Sequence, residues 1–201
     1  MKQKPVVYIH GKGGSANEAA HYELLFPTHD VIGFAYRAQT PWDAKAEFSA
    51  FFASLQAAPR SVILIANSIG AYFSMHAGID RWVEKAFFIS PLVDMETMIG
   101  NMLLLEHLTE DDLREQGEVQ TRFGETLSWA YLSYVRTHPI VWNAPTEILY
   151  GGADHLVPRE AVTRFADRHH AHLTVMENGE HWFHTPEQMR FLDAWIARSK
   201  E

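Results

Sequence analysis

SVILIANSIGAY, residues 61–72, is the stretch that decides the fold. Its apolar, β-branched run ends at Ile65 and gives way abruptly to small residues, which predicts a buried strand turning sharply into a helix. Ser68 would stand at that corner with its hydroxyl exposed and the next backbone N–H beside it. The pattern is G-x-S-x-G with Ala66 replacing the first glycine and Gly70 supplying the second. Taken alone, Ser68 could equally be an ordinary helix N-cap.

The composition narrows the class of protein. A chain of 201 residues that is 47% hydrophobic suits one globular domain. The formal net charge of −8, spread without acidic or basic blocks, argues against nucleic acid or an anionic membrane as the main partner. The sequence contains no cysteine, which excludes disulfides, thiolate metal sites and a cysteine nucleophile.

The amino-terminal residues lead straight into a predicted strand. They contain neither the long apolar region nor the cleavage site of a signal peptide. The longest apolar stretches elsewhere are far short of a membrane span. We therefore expect a cytoplasmic protein.

Short apolar runs alternate with longer amphipathic segments along most of the chain. The pattern predicts strands at residues 6–9, 31–36, 62–66, 86–89, 147–150 and 173–176. It predicts helices at residues 15–26, 42–56, 68–79, 159–169 and 186–198. Strands separated by crossover helices form a parallel sheet covered on both faces. We expect a single α/β domain over residues 1–201, a three-layer α/β/α sandwich around a mostly parallel six-stranded sheet.

Residues 94–142 break this alternation. The segment is too long for one crossover helix and combines a Met-rich helical stretch with a second one around Trp129. It predicts a helical cap over the carboxyl edge of the sheet, because an insertion at this point would overhang the Ser68 corner. Flexible thioethers and aromatic rings suit an apolar ligand, so Met98, Met102 and Trp129 are candidate substrate-binding residues. Alternatively, these helices merely complete the core.

The carboxyl ends of parallel strands are where functional residues collect. HGKGGS, residues 10–15, follows the first strand, and its glycine-rich turn would expose N–H groups suited to an oxyanion hole. Its spacing does not match a phosphate-binding loop. GGADHLVP, residues 151–158, places Asp154 after a later strand, and NGEHWFH, residues 178–184, places His181 after the last.

A serine, a carboxylate and a histidine at one sheet edge suggest nucleophilic catalysis. A serine hydroxyl near neutral pH needs a base within hydrogen-bonding reach, and imidazole supplies one. A carboxylate then holds the imidazole in the required tautomer. The chain order of Ser68, Asp154 and His181 is the one that α/β-hydrolases use.

These motifs together resemble the α/β-hydrolase family, in particular its small bacterial-type esterases and lipases. The resemblance implies a nucleophile at Ser68, an acid at Asp154, a base at His181 and oxyanion donors at the backbone N–H groups of Lys12 and Ile69. The two antiparallel strands that often begin the family's sheet are absent, which implies a trimmed six-stranded version. Ala66 departs from the usual glycine and should tighten the turn without abolishing it.

Two residues compete for these roles. Asp94, just beyond another predicted strand, is a rival acid, and His184 is a rival base that we expect to have a structural role. The groups His169-His170-His172 and His181/His184 raise the question of a metal site. No convincing set of carboxylates accompanies them, so we expect no metal and no cofactor.

The expected function is a serine hydrolase that cleaves carboxylic esters or thioesters of small to medium acyl groups through an acyl-enzyme. Trp182, next to His181, is a further candidate for contact with the small-molecule substrate. The alternatives are a C–C bond hydrolase or thioesterase with the same triad, and a non-catalytic ligand-binding member of the fold. An exposed apolar cap would also permit a homodimer.

Overall fold

A parallel six-stranded sheet organises the chain in the computed structural model, which describes residues 4–122 and 124–200. Its strands are β1 (Pro5–Ile9), β2 (Asp30–Phe34), β3 (Val62–Asn67), β4 (Val83–Ile89), β7 (Thr146–Gly151) and β8 (His172–Met176). They lie in the order β2-β1-β3-β4-β7-β8, and every adjacent pair is parallel. Each of the six predicted strands is therefore present, and no antiparallel strand joins this sheet within the described residues.

Helices cover both faces of the sheet, as the fold prediction requires. They are a 3₁₀ helix (Ala16–Tyr22), α1 (Pro41–Ser54), α2 (Ile69–His76), α6 (Arg159–His169) and α7 (Pro186–Ser199). On one face, Tyr8 and Ile65 share an apolar cluster with Tyr22 of the 3₁₀ helix and Trp195 of α7. Because side chains alternate along a strand, the neighbours of Tyr8 on β1 face the opposite side. The predicted three-layer α/β/α class is confirmed.

The first predicted helix differs from the structure. Residues 15–26 were expected to be helical, but only Ala16–Tyr22 is, and it is a 3₁₀ helix. Its buried residues Ala19 and Tyr22 are three apart, the spacing that a 3₁₀ helix places on one face. Its backbone also approaches β2 so closely that a Cβ on Gly33 would overlap the Ala16 carbonyl. The segment therefore packs with its backbone directly against the sheet.

Residues Asp94–Ile140 form a second compact unit, separate from the unit made by Met1–Val93 and Val141–Glu201. It contains α3 (Met95–Leu105), α4 (Glu110–Gln116), α5 (Trp129–Thr137) and an antiparallel hairpin of β5 (Glu118–Gln120) and β6 (Thr126–Ser128). The hairpin was not predicted. Gly117, with φ +76°, ends α4 in a conformation that most residues avoid and so releases the chain into β5.

One arginine ties the helices of this second unit together. The Arg136 guanidinium on α5 donates to Glu96 of α3 and, through two nitrogens, to Glu110 of α4. These bonds raise the pKa of Arg136 and lower that of Glu110. None of the helices among the described residues combines the length and apolar character needed to cross a bilayer.

Candidate active site

Ser68 occupies the sharp turn between β3 and α2. Its backbone lies at φ +51°, ψ −118°, a region that costs a non-glycine residue on the order of 1–3 kcal/mol. The turn is held because the Ser68 N–H donates to the Ile89 carbonyl at 2.9 Å and the Leu92 N–H donates to the Ser68 carbonyl. The hydroxyl does not cap α2. The serine side chain is therefore presented by a constrained backbone and is not used for helix capping.

Gly70 permits this turn by allowing α2 to start against β1. A Cβ at this position would lie 2.5 Å from the His10 carbonyl oxygen and 2.9 Å from that of Ile9. Both are backbone atoms and cannot rotate away. Ala66 is fully buried and lies beside Ile9 in the sheet, so its methyl group is accommodated where the pattern usually has glycine.

His181 connects Ser68 to Asp154. Its Nε2 lies 2.8 Å from the Ser68 Oγ, and its Nδ1 lies 2.7 Å from the Asp154 Oδ2. An ionised carboxylate can only accept, so Nδ1 carries the proton and Nε2 accepts from the serine hydroxyl. The side chains of His181 and Asp154 are 4% and 0% exposed, which shields the hydrogen bond between them from water.

The second oxygen of Asp154 is also used. Oδ1 accepts from the backbone N–H groups of Leu156 at 2.7 Å and Val157 at 3.1 Å. These donors fix the rotation of the carboxylate so that Oδ2 faces the imidazole. The same loop is held by Tyr150, whose hydroxyl donates to the Val157 carbonyl at 2.7 Å. Burial, assisted by the Asp154 charge, raises the pKa of Tyr150 to about 12, so this donor stays protonated.

Direct backbone contact joins the loops that carry Asp154 and His181. The N–H groups of Gly152 and Ala153 donate to the carbonyls of Met176 and Gly179 at 2.8 and 2.9 Å. A Cβ on Gly151 would lie 2.5 Å from the Gly179 oxygen, so only glycine fits there. The glycines after β7 thus allow the two loops to pack closely enough for the Asp154–His181 bond.

The predicted oxyanion donors lie on two separate segments. Lys12 follows Gly11, which packs against the serine so closely that a Cβ on it would lie 3.3 Å from the Ser68 Cβ. Ile69 is the first residue of α2, and no backbone carbonyl in the described part of the chain accepts from its N–H. Both segments therefore border Ser68, and the role of the two N–H groups as oxyanion donors stays a prediction.

The rival residues have other partners. The Asp94 carboxylate caps α3, with one oxygen accepting from the Thr97 N–H at 3.0 Å and the other from the Thr97 hydroxyl at 2.8 Å. His184 is 62% exposed and pairs with Glu180 at 3.3 Å. Neither residue forms a hydrogen bond with Ser68 in the described structure. In residues 4–122 and 124–200, no three histidine or acidic side chains are grouped as metal ligands.

The candidate substrate-binding residues lie in both units. Met98 and Met102 are half-buried on α3, and Trp129 is half-buried at the start of α5. All three belong to the second unit. Trp182 belongs to the first, is 59% exposed and meets the ring of His181 edge-on with 5.5 Å between centroids. Their contact with a substrate stays a prediction.

Sequence reasoning missed several residues that support the site. Gln188, 5% exposed on α7, accepts from the His184 N–H at 3.0 Å and so holds the end of the His181 loop. Glu18 accepts from the Ser15 N–H at 2.8 Å behind the glycine-rich turn. The S-x-x-E spacing of Ser15 and Glu18 is a capping-box signal that could have revealed the second contact. Thr185 and Gln188 have the same kind of spacing, and the Gln188 N–H donates to the Thr185 hydroxyl at 3.3 Å; that signal marks the start of α7 but not the bond to His184.

Comparison with known proteins identifies the fold. No protein-family model matches the sequence, and no curated protein matches it either. The solved structures that resemble it include alpha/beta hydrolase domain-containing protein 10 from mouse, with a TM-score of 0.78 and 18% identity over 98% of this chain and 90% of that one. Est1E from Butyrivibrio proteoclasticus gives 0.76 and 15%, covering 98% and 86%.

A monoacylglycerol lipase from Paleococcus ferrophilus has a TM-score of 0.66 and 15% identity, covering 98% of this chain and 96% of the lipase. At such low identity the likeness concerns the path of the backbone and not the substrate. The six-stranded parallel sheet, its helical layers and these structural neighbours together show that the chain has the α/β-hydrolase fold.

Proposed function

We propose that the protein is a serine hydrolase that cleaves carboxylic esters or thioesters of small to medium acyl groups. The observation that carries the proposal is the continuous hydrogen-bonded line from Ser68 through His181 to Asp154, with distances of 2.8 and 2.7 Å. Such a line is the arrangement that activates a serine hydroxyl. Structural neighbours described as esterases or lipases support the same class of reaction.

Acylation begins at the Ser68 hydroxyl. Its oxygen attacks the carbonyl carbon of the ester while its proton passes to Nε2 of His181. The buried Asp154 carboxylate stabilises the resulting imidazolium through the Nδ1–H bond. Backbone N–H groups of Lys12 and Ile69 donate to the oxyanion that develops on the carbonyl oxygen. The bond to the alcohol or thiol then breaks, and the leaving group takes the proton from Nε2.

Deacylation repeats these steps with water. His181 takes a proton from the water as its oxygen attacks the acyl carbon, and the tetrahedral intermediate collapses to release the carboxylic acid. The proton returns from Nε2 to the Ser68 oxygen. The enzyme is regenerated, and one ester and one water become one acid and one alcohol.

The substrate class follows from the apolar candidates. Trp182 lies on the His181 loop, and His181 protonates the leaving group, so we assign Trp182 to contact with the alcohol or thiol part. Met98, Met102 and Trp129 stay the candidates for contact with the acyl part. Est1E has been solved with ferulic acid bound, and an aryl acyl ester therefore belongs in the substrate screen.

The test is labelling of the serine. The protein is treated with a fluorophosphonate, and the Ser68 peptide is examined for the mass increment while p-nitrophenyl acetate turnover is measured in parallel. We expect labelling and turnover in the wild type and neither in Ser68→Ala. A folded wild-type protein that shows neither would favour the non-catalytic ligand-binding alternative. A C–C bond hydrolase or a strict thioesterase would be labelled at Ser68 but would not cleave p-nitrophenyl acetate.

A further inference from the structure

Glu18 makes a contact that helix capping does not require. One carboxylate oxygen accepts from the Ser15 N–H at 2.8 Å, which is the ordinary capping-box bond. The other accepts from the hydroxyl of Tyr8, a residue of β1 in the interior of the sheet. Glu18 therefore connects the end of the glycine-rich loop at residues 10–15 to the strand that precedes it.

Tyr8 extends this connection toward the nucleophile. The tyrosine is 2% exposed, and its ring lies 5.2 Å from that of Tyr22. Burial raises the pKa of Tyr8 well above its usual value, so the phenol remains a donor to Glu18. Tyr8 lies beside Ile65 where β1 pairs with β3. β3 ends at Asn67, immediately before Ser68, so the connection reaches the Ser68 turn through the paired strands.

Ser15, Glu18 and Tyr8 form one connected set of hydrogen bonds, which we call the elbow tether because β1 lies against the strand that ends at the Ser68 turn. Asn67 closes that strand, and its buried Oδ1 has no hydrogen-bond partner among the described residues.

The glycine-rich loop at residues 10–15 is in close contact with Glu18 and with the turn that carries Ser68. A Cβ on Gly14 would lie 2.7 Å from the Glu18 Oε1, and one on Gly11 would lie 3.5 Å from the Asn67 carbonyl oxygen. A small shift of Glu18 or Asn67 would therefore be passed to the loop that contains Lys12. The two proposed oxyanion donors have no shared backbone segment, and their spacing depends on such contacts.

We propose that Glu18 and Tyr8 are positioning residues that set the spacing of the Lys12 and Ile69 N–H groups around the oxyanion. The proposal rests on the proposed hydrolase function. Donors must lie about 2.7–3.1 Å from the developing charge, and loss of one donor typically lowers kcat by about 10²–10³. Displacing a donor without removing it should cost less, on the order of tenfold to a hundredfold, and should affect the transition state more than the bound ester.

The test compares Tyr8→Phe and Glu18→Gln with the wild type. The Phe variant removes the hydroxyl that donates to Glu18. The Gln variant keeps an oxygen that accepts from the Ser15 N–H. Its NH₂ group faces the Tyr8 hydroxyl, so that hydroxyl loses the oxygen to which it donated. We measure kcat and KM for p-nitrophenyl acetate and the inhibition constant of an alkylboronic acid, which forms a tetrahedral adduct on the serine. All values are normalised to the sites titrated by fluorophosphonate, so unfolded protein does not contribute.

We expect kcat to fall about tenfold to a hundredfold with KM within about threefold, and the boronic acid to bind more weakly by a similar factor. Tyr22→Phe removes a hydroxyl from the adjacent ring, and Asp43→Asn alters the comparable cap of α1, where Asp43 bonds Thr40. Both controls should keep the wild-type constants per titrated site.

Suppose that both test variants keep the wild-type kcat and the wild-type inhibition constant of the boronic acid per titrated site. That result would leave the hydrolase proposal intact but would overturn the elbow tether. So would an equal loss in Tyr22→Phe, because that result would indicate general softening of the core. A wild-type protein that the fluorophosphonate does not label would overturn both proposals.

Discussion

Replacing Asp154 by asparagine should reverse the tautomer of His181. The Leu156 and Val157 N–H groups both donate to Oδ1, so the asparagine oxygen is expected to take that position. Its NH₂ group then faces Nδ1, which must become an acceptor. The proton moves to Nε2, where it blocks acceptance from Ser68. Turning the amide the other way would leave two buried N–H groups facing a donor, at a cost of roughly 1–3 kcal/mol each.

The expected loss is large because the base is held in the wrong form. A tautomer-setting carboxylate is worth on the order of 10⁴ in kcat. This factor corresponds to about 5 kcal/mol of transition-state stabilisation. The volume and packing of the side chain are unchanged, so thermal stability should change far less than activity.

The assay is kcat/KM for p-nitrophenyl acetate, together with the rate of fluorophosphonate labelling at Ser68. Asp94→Asn is the matched control, because that carboxylate also accepts from a backbone N–H but caps α3. We expect the control to keep wild-type rates. Activity of Asp154→Asn within tenfold of the wild type would refute the reasoning, and a comparable loss in Asp94→Asn would show that the acid was misassigned.

Three further outcomes are expected. His181→Ala should abolish ester turnover, while His184→Ala should retain most of it because the His184 side chain pairs with exposed Glu180 on the surface. Equal losses in steady-state assays would contradict our choice of base. Gly70→Ala should lower the free energy of unfolding by about 1–3 kcal/mol in urea titrations, since its Cβ would meet the carbonyls of Ile9 and His10, whereas Gly100→Ala, with open space around it, should not destabilise. The free energy of unfolding should fall as the pH rises above about 10, because burial raises the pKa of Tyr150 to about 12 and those of Tyr8, Tyr22 and Tyr36 higher still, so the unfolded chain releases its tyrosine protons first. Tyr150→Phe should make the decline shallower; no decline in the wild type, or an equally steep one in this variant, would contradict the assignment.

Local patterns were sufficient for the regular elements. The apolar run before Ser68 predicted β3 because buried parallel strands are apolar on both faces. Thr109 and Asp112 have capping-box spacing in the sequence, and a reciprocal capping box is present at the start of α4. Pro41 and Pro186 likewise stand at the first turn of α1 and α7. These signals lie within a few residues of one another and need no knowledge of the rest of the fold.

Elements whose form depends on distant contacts were not predictable in the same way. The 3₁₀ helix Ala16–Tyr22 lies with its first residue against Gly33 of β2, a contact between segments that are distant in pattern. The β5–β6 hairpin lies in a segment whose neighbouring helices dominate the hydrophobic pattern. Both depend on which backbone approaches which, and periodicity along the chain does not carry that information.

The sequence by itself determined the alternation of strands and helices, the Ser68 corner and the set of candidate acids and bases at the strand ends. Only the tertiary structure decided which of them meet. Asp154 and His181 are 27 residues apart, and their 2.7 Å contact exists because β7 and β8 pair in register and the glycines after β7 let the following loops touch. Asp94 and His184 were the rival candidates in the sequence, and their side chains are engaged elsewhere. Distance in space follows from sheet register and backbone packing, which are properties of the whole fold.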